Sequence, residues 1–292
     1  MNMPSLSNKK QLKFVITLGT GKFGSSENNQ VTIQGLRATV DIDKAGGVQM
    51  STLKAKIYGV SQSIMNSCVT LQWRPDFIIN NTVQVFAVDG TAETLVFAGN
   101  IVNAWGDYQG MPDAFLHIQA QAAYFAQLQP VKPYSIKGGI DVAIPMAKIA
   151  ADMGLKFENN GVNVVLTDVY LAYSLKDQAL EIAKAADIDL YIDDEILAIT
   201  PRYMPRNGDI PLISAKSGMI GYPTFDGIGV NTAIMFNPAV KFGGQIKIET
   251  EIPHAAGQWT VVSLAHRLES EKPNGLWQTQ IRGSLNGFAI VK

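Results

Sequence analysis

The stretch KFVITLGTGKFG places Gly19, Gly21 and Gly24 in the spacing G-x-G-x-x-G after a run of apolar residues, and Asp43 follows about 20 residues on. In a dinucleotide-binding unit these glycines let the backbone approach a pyrophosphate seated on a helix N-terminus. The residues that follow, SSENNQVTIQG, hold paired Asn, β-branched side chains and Gly35, which favour a hairpin over a helix. The motif therefore reads as a turn. Lys22 does not make a phosphate loop, because G-x-x-x-x-G-K-[ST] is not matched.

The consecutive acids Asp193, Asp194 and Glu195 are the other candidates for chemistry. They fall at a tight turn, with no His or further acid close in sequence, and catalytic carboxylates need a cleft to shift their pKa. A solvated turn is expected. His117, His254 and His266 lack the spacings of a zinc site. His117 and His266 fall on the polar phase or at the end of strands, which predicts surface or interface histidines. Cys68, in SIMNSCVTL, reads as a small buried hydrophobe. Trp73, Trp105, Trp259 and Trp277 are spaced widely along strands, which suits core or interface packing better than a sugar-stacking platform. No catalytic, cofactor-binding or metal-ligating residue is assigned, no cofactor is expected, and the chain is not expected to be an enzyme.

Composition narrows the classes further. Hydrophobic residues make up 47% of the 292, charged residues 17%, and the formal net charge is −1. A nucleic-acid surface is not expected, since no Lys/Arg run is available to displace counterions as a sequence-nonspecific binder requires, and no specific nucleic-acid binding is expected either. No apolar stretch approaches the roughly 20 residues of a membrane helix, and MNMPSLSNKKQLKFVITLG lacks a signal peptide's long apolar segment. A single cysteine excludes an intrachain disulfide and fits synthesis in a reducing cytoplasm. Low charge with high apolar content points to surfaces buried against partner chains.

The elements that would position these residues are mostly strands. Leu36, Ala38, Val40 and Ile42 alternate with Arg37, Thr39, Asp41 and Asp43. Leu53, Ala55 and Ile57 alternate with lysines and Tyr58, and Leu116, Ile118 and Ala120 with His117, Gln119 and Gln121. VQVFAV and LVFAGNIVNAW flank the turn DGTAE, and SQSIMNSC is a short helix. The texture changes at QLQPVKPYSIKGG. One helix follows from Pro145 to Gly154, with Met146, Ile149, Ala150 and Met153 as its stripe. A second opens at Ser174, capped toward Asp177, with Leu175, Ile182 and Ala186 facing inward. IDLYIDDEILAIT is a hairpin, and strands return beyond Pro201, ending in GQWTVVSLAHRLESEKPNGLWQTQIRG. The fold expected is mainly β: a first antiparallel barrel over 1–132, a small α+β insert over 133–202 and a second barrel over 203–292.

Three stretches resemble the baseplate (tail) hub family of contractile-tailed bacteriophages, which includes the late-control hub proteins. The N-terminal part of type VI secretion spike proteins is related to that family. MSTLKAKIYGVSQSIMN resembles its strand ending in Ile-Tyr-Gly before a short helix. LVFAGNIVNAWGDYQGMPDAFLHIQAQA resembles its Val-Phe-x-Gly-x-Ile strand and hairpin. SGMIGYPTFDGIGVNTAIMFNPAVKFGGQIKIET resembles its second barrel, punctuated at Asn237-Pro238 and Gly243-Gly244.

The resemblance implies a structural homotrimer in the virion tail, made in the host cytoplasm. Its two tube-like domains per chain would form a ring of six similar units, joining a hexameric tail tube protein to a trimeric central spike protein. Other baseplate proteins would be neighbours, and the genome could pass through the channel. The terminal hairpin becomes tube-wall structure with Arg267 to Asn274 as its exposed loop. Because the chain ends at Lys292, the piercing spike and any wall hydrolase are expected on separate chains.

The alternative is a tail-associated protein that binds or cleaves peptidoglycan or other carbohydrate, using the insert. A nucleotide-binding reading, resting on the glycine motif, is opposed by the strand pattern. A glycan pull-down and a nucleotide thermal-shift scan separate these readings from the structural one.

Overall fold

Alternating apolar side chains dominate the first half of the chain, and they become strands with one buried face. The computed structural model describes residues 10–24, 28–45, 50–69, 80–110, 112–128 and 131–285. These fall into two compact units. The first comprises the described residues of Met1–Ile42, Thr52–Gln121 and Arg267–Trp277, and the second those of Asp43–Ser51, Ala122–His266 and Gln278–Lys292.

The first unit is built from β1 (Lys10–Thr17), β2 (Gln30–Gln34), β3 (Ala38–Ala45), β4 (Thr52–Tyr58), helix α1 (Gln62–Cys68), β5 (Thr82–Asp89), β6 (Ala92–Asp107) and β7 (Phe115–Gln121). β3 crosses into the second unit at Asp43. The strands run in the order β3-β4-β7-β6-β5-β1-β2, with antiparallel pairing from β4 through to β2. Leu12, Phe14 and Ile16, then Leu53, Ala55 and Ile57, then Leu116, Ile118 and Ala120 form the buried face, as the alternation requires. No pairing among the described residues closes this path into a barrel. Helix α1 is capped by Ser61, whose Oγ accepts from the Ile64 N–H, and it buries Met65 and Cys68.

The glycine motif is a hairpin between β1 and β2. Val15 pairs with Thr32 and Thr17 with Gln30, and the Leu18 N–H donates to the Asn29 carbonyl. A Cβ on Gly19 would lie 2.6 Å from the Asn80 carbonyl oxygen. Close backbone approach therefore explains that glycine without any phosphate.

The second unit contains helices α2 (Tyr124–Leu128), α3 (Ala143–Asp152) and α4 (Leu175–Ala185). With them are β8 (Tyr134–Asp141), β9 (Lys156–Asn159), β10 (Val165–Leu171), β11 (Ile188–Asp193) and β12 (Ile196–Pro201). They are followed by β13 (Leu212–Ile213), β14 (Met219–Phe225), β15 (Val230–Met235), β16 (Gln245–Ile248), β17 (Gly257–Ser270) and β18 (Trp277–Ser284). β8 pairs with β10, and β12 lies between β11 and β9. β14, β15, β18 and β17 follow one another, with β16 also on β17 and β13 on β16.

Both expected helices are present. Ser174 accepts from the Asp177 N–H, and Leu175, Ile182 and Ala186 are buried. Helix α3 carries Pro145 in its first turn, Asp141 accepts from the Ala143 N–H, and Gly154 follows at φ 75°.

Two apolar clusters hold this unit together, and the β11–β12 hairpin belongs to both. Leu190, Ile192, Leu197 and Ile199 join the helices in one; Tyr191 and Ala198 join Phe242, Ile246, Trp259 and Val261 in the other. A hairpin buried on both faces explains why its strands read as unbroken apolar runs.

Two departures concern this part of the chain. YSIKGGID, read as part of a boundary, is the strand β8; its irregularity comes from a bulge where Asp168, at φ 51°, accepts from the Gly138 N–H. The terminal hairpin's loop is also shorter than expected. β17 continues to Ser270 with Leu268 and Ser270 buried, so Arg267 is a strand residue whose Nη1 donates to the Ile42 carbonyl.

Candidate functional site

Asp193 and Asp194 at the β11–β12 tip are not solvated; Glu195 beside them is half-buried. Asp193 and Asp194 retain 12% and 15% side-chain exposure, and both face the ammonium of Lys44, which is 5% exposed. Lys44 Nζ donates to Asp193 Oδ1 at 2.7 Å and to Asp194 Oδ2 at 2.6 Å. The other Asp193 oxygen accepts from Arg206 Nη1 at 3.1 Å. Arg206, 4% exposed, closes a two-pronged contact on Glu158 of β9, at 3.0 and 3.1 Å, and its Nη1 also donates to the Phe242 carbonyl at 3.0 Å. Asn160 donates to Glu158 and to the Ile199 carbonyl, and its own oxygen accepts from the Asn207 N–H.

The backbone fits this cluster. Asp194 takes φ 52° at the turn, a conformation Asp tolerates better than bulkier residues. Gly243, at φ 78°, lies so close that a Cβ would meet the Tyr191 ring at 2.5 Å and Arg206 Cδ at 3.0 Å. Its carbonyl accepts from the Arg206 N–H.

Electrostatics keep Lys44, Arg206, Asp193 and Glu158 charged. Burial by itself would lower the Lys44 pKa, but the Asp193 and Asp194 carboxylates outweigh it and raise it. Burial would likewise raise Asp193 and Glu158. Lys44 and Arg206 hold Asp193 below the ordinary range, and Arg206 with Asn160 does the same for Glu158. Two cations and three carboxylates therefore form a clamp across four separate chain segments. Removing one partner from such a buried pair leaves a bare charge and costs about 3–5 kcal/mol.

The remaining candidates are dispersed. His266 is buried rather than at a surface: its Nδ1 lies 2.9 Å from Thr279 Oγ1, and the Phe236 ring meets it edge-on at 5.3 Å. Thr279 and Phe236 both belong to the second unit, so a strand position of polar phase became interior. His117 is partly buried and stacks on Trp105 at 4.4 Å; burial, then Lys56, lowers its pKa against Asp107. His254 is exposed. Cys68 is buried, which pushes its thiol up to about 12. Trp259 and Trp277 are buried, Trp259 donating to the Ala255 carbonyl at 2.9 Å. Trp73 lies outside the described residues. Among the described residues, no three or more His, Cys, Asp or Glu gather as a metal site, and no helix is long and apolar enough to cross a membrane.

Lys44, Glu158 and Arg206 escaped the reading of the sequence. The signal that points to them is the double-sided apolar hairpin: acids at the tip of strands buried on both faces need partners.

With this architecture in view, a family described as Baseplate hub gp41 matches residues 12–280, most of the chain. The chain belongs to that family. Solved structures share its fold at low identity. A tail protein from Neisseria meningitidis MC58 superimposes with a TM-score of 0.64 at 10% identity, over 94% of this chain and 96% of that one. The 43 kDa tail protein of prophage MuSo2 from Shewanella oneidensis gives 0.61 at 9%, over 93% and 96%. The E. coli c3393 protein gives 0.56 at 7%, over 85% and 73%. That protein is a component of the type VI secretion system with structural similarity to the T4 tail proteins gp27 and gp5. No curated protein sequence matches. Membership makes this hub-family chain a structural component of the phage tail.

Proposed function

We propose that the protein is the trimeric adaptor of a tail baseplate, joining a hexameric tail tube to a trimeric central spike and performing no catalysis. In this reading residues 1–132 and 203–292 supply two tube-like barrels per chain, completed by neighbouring copies in the ring. Residues 133–202 form an insert that contacts other baseplate proteins. The chain is made in the host cytoplasm and ends in the virion of a contractile injection system, and its channel admits the genome without binding it specifically.

The observation that carries the reading is the family match over residues 12–280, together with a fold shared along nearly the whole length of two tail proteins. The buried ion clamp supports it from within, because Asp193 and Glu158 are paired and held ionised, which suits a rigid part better than an acid–base pair.

Capture experiments test the adaptor role. Immobilised protein is expected to retain both the tube and the spike protein of the same particle and to leave peptidoglycan intact. Retention of neither, or wall cleavage lost on Asp193→Ala, would refute it.

A further inference from the structure

At the end of β6 the chain forms a cleft of about 450 Å³ lined by Trp105, Gly106, Asp107, Tyr108 and Gln109. That volume is ordinary for a small-molecule site. The His117 imidazole covers one face of the Trp105 indole, at 4.4 Å and 20°, which leaves the other face and the ring edge to the cleft. His117 meets Phe115 edge-on at 4.8 Å, and Phe115 stands against Tyr58 at 5.0 Å. The indole is thus backed by a row of packed rings across β6, β7 and β4. Trp259 and Trp277 are buried, whereas Trp105 keeps part of its surface in the open.

Tyr108 supplies a second ring. It is 43% exposed, and the far end of its phenol lies so close over Gly106 that a Cβ there would sit 2.9 to 3.0 Å from it. The ring holds this place because residue 106 has no side chain. Asp107 accepts from the Gln109 N–H through Oδ1 at 2.9 Å, and the described residues give its Oδ2 no hydrogen-bond partner. Gln109 is exposed and brings an amide with both donors and acceptor.

The charges around the cleft cancel. Lys56 and Asp107 act on His117 with opposite sign, and burial with Lys56 holds the imidazole below its ordinary value and therefore neutral at pH 7. One ammonium set against one carboxylate favours neither a cation nor an anion. A flat aromatic guest would use the rings and leave the carboxylate and the amide idle. A pyranose ring uses both, because its axial C–H groups pack on an aromatic face while hydroxyls at its rim pair with carboxylate and amide.

We propose that this cleft binds a pyranose sugar unit, with its C–H face on Trp105 and Tyr108 and its hydroxyls on Asp107 and Gln109. The site lies wholly in the first unit and needs neither tube nor spike, so sugar binding and the adaptor role fail independently.

Saturation-transfer NMR on the full-length protein tests this with the methyl glycosides of glucose, mannose, galactose and N-acetylglucosamine. Saturable binding of at least one is expected, with transfer strongest to its ring C–H protons. Gly106→Ala adds a methyl that displaces the far end of Tyr108, so it should keep the melting temperature and weaken binding about tenfold. Asp107→Asn still accepts from the Gln109 N–H but exchanges the second oxygen for a donor, and a similar weakening is expected. If Gly106→Ala lowers the melting temperature, Tyr108→Ala removes the same ring from an exposed position and takes its place. Absence of saturable binding by every glycoside, or unchanged affinity in both variants, would overturn the proposal. Tighter binding of tetramethylammonium or p-cresol would overturn it too, by making the cleft a cation or an aromatic site.

Discussion

In β4 every second side chain is buried, and the alternate lysines, Lys54 and Lys56, stay in solvent. In β11 and β12 no side chain is exposed at all. The same polar chemistry is thus treated in two ways. On the one-faced strands of the first unit, charge faces water and contributes little. At the tip of the two-faced hairpin it has no water to meet, so Asp193 must find Lys44 and Arg206. Burial on a second face converts a surface charge into a structural element.

Arg206→Ala should break this contrast most sharply. It strips a cation from Asp193 and Glu158 together, and a loss of about 3–5 kcal/mol is expected. Hydrogen exchange should show protection lost over 188–201 and kept over 52–58. Equal loss in both stretches, or none in either, would contradict the contrast.

Acid should act in the same place more gently. Asp193 and Glu158 titrate lower in the folded chain than unfolded, so their contribution is complete above the unfolded carboxylate range, near pH 4, and is lost as pH falls through their folded values. Lys44 is raised, so its contribution holds below the unfolded lysine value and fades only at more alkaline pH. Urea midpoints are therefore expected to be level at neutral pH and to fall on the acid side, and to fall less in Arg206→Ala. A midpoint that holds to about pH 3 would be incompatible with ionised carboxylates in the clamp.

Glu93→Ala in the first unit gives the smallest effect. Its 2.7 Å bridge to Lys13 is as short as the Lys44–Asp193 contact, yet Glu93 is 40% exposed. A change of about 0–1 kcal/mol is expected from thermal denaturation. A loss rivalling that of Arg206→Ala would mean distance, not burial, sets the strength.

What was legible follows the same division. Alternation in β3, β4 and β7 exposed their buried faces at once, because one-faced strands write their burial into a period of two. The capped helix at Ser174 and the turn after Gly19 were equally local. The clamp was not, since Lys44 and Asp193 lie 149 residues apart and Arg206 and Glu158 lie 48 apart. His266 was misplaced for a related reason: a polar residue on a strand signals an outer face only where one face is wet. β8 hid because Gly138 and Gly139 read as punctuation, while the bulge that needs them depends on Asp168 across the pair.

Electron-microscopic averages of the purified protein test the central claim most directly. The adaptor reading predicts a ring of three chains around a central channel, with two superimposable tube-like domains in each chain and pseudo-sixfold symmetry. Single-chain particles in the presence of tube and spike proteins, or a ring whose two domains per chain do not superimpose, would contradict it.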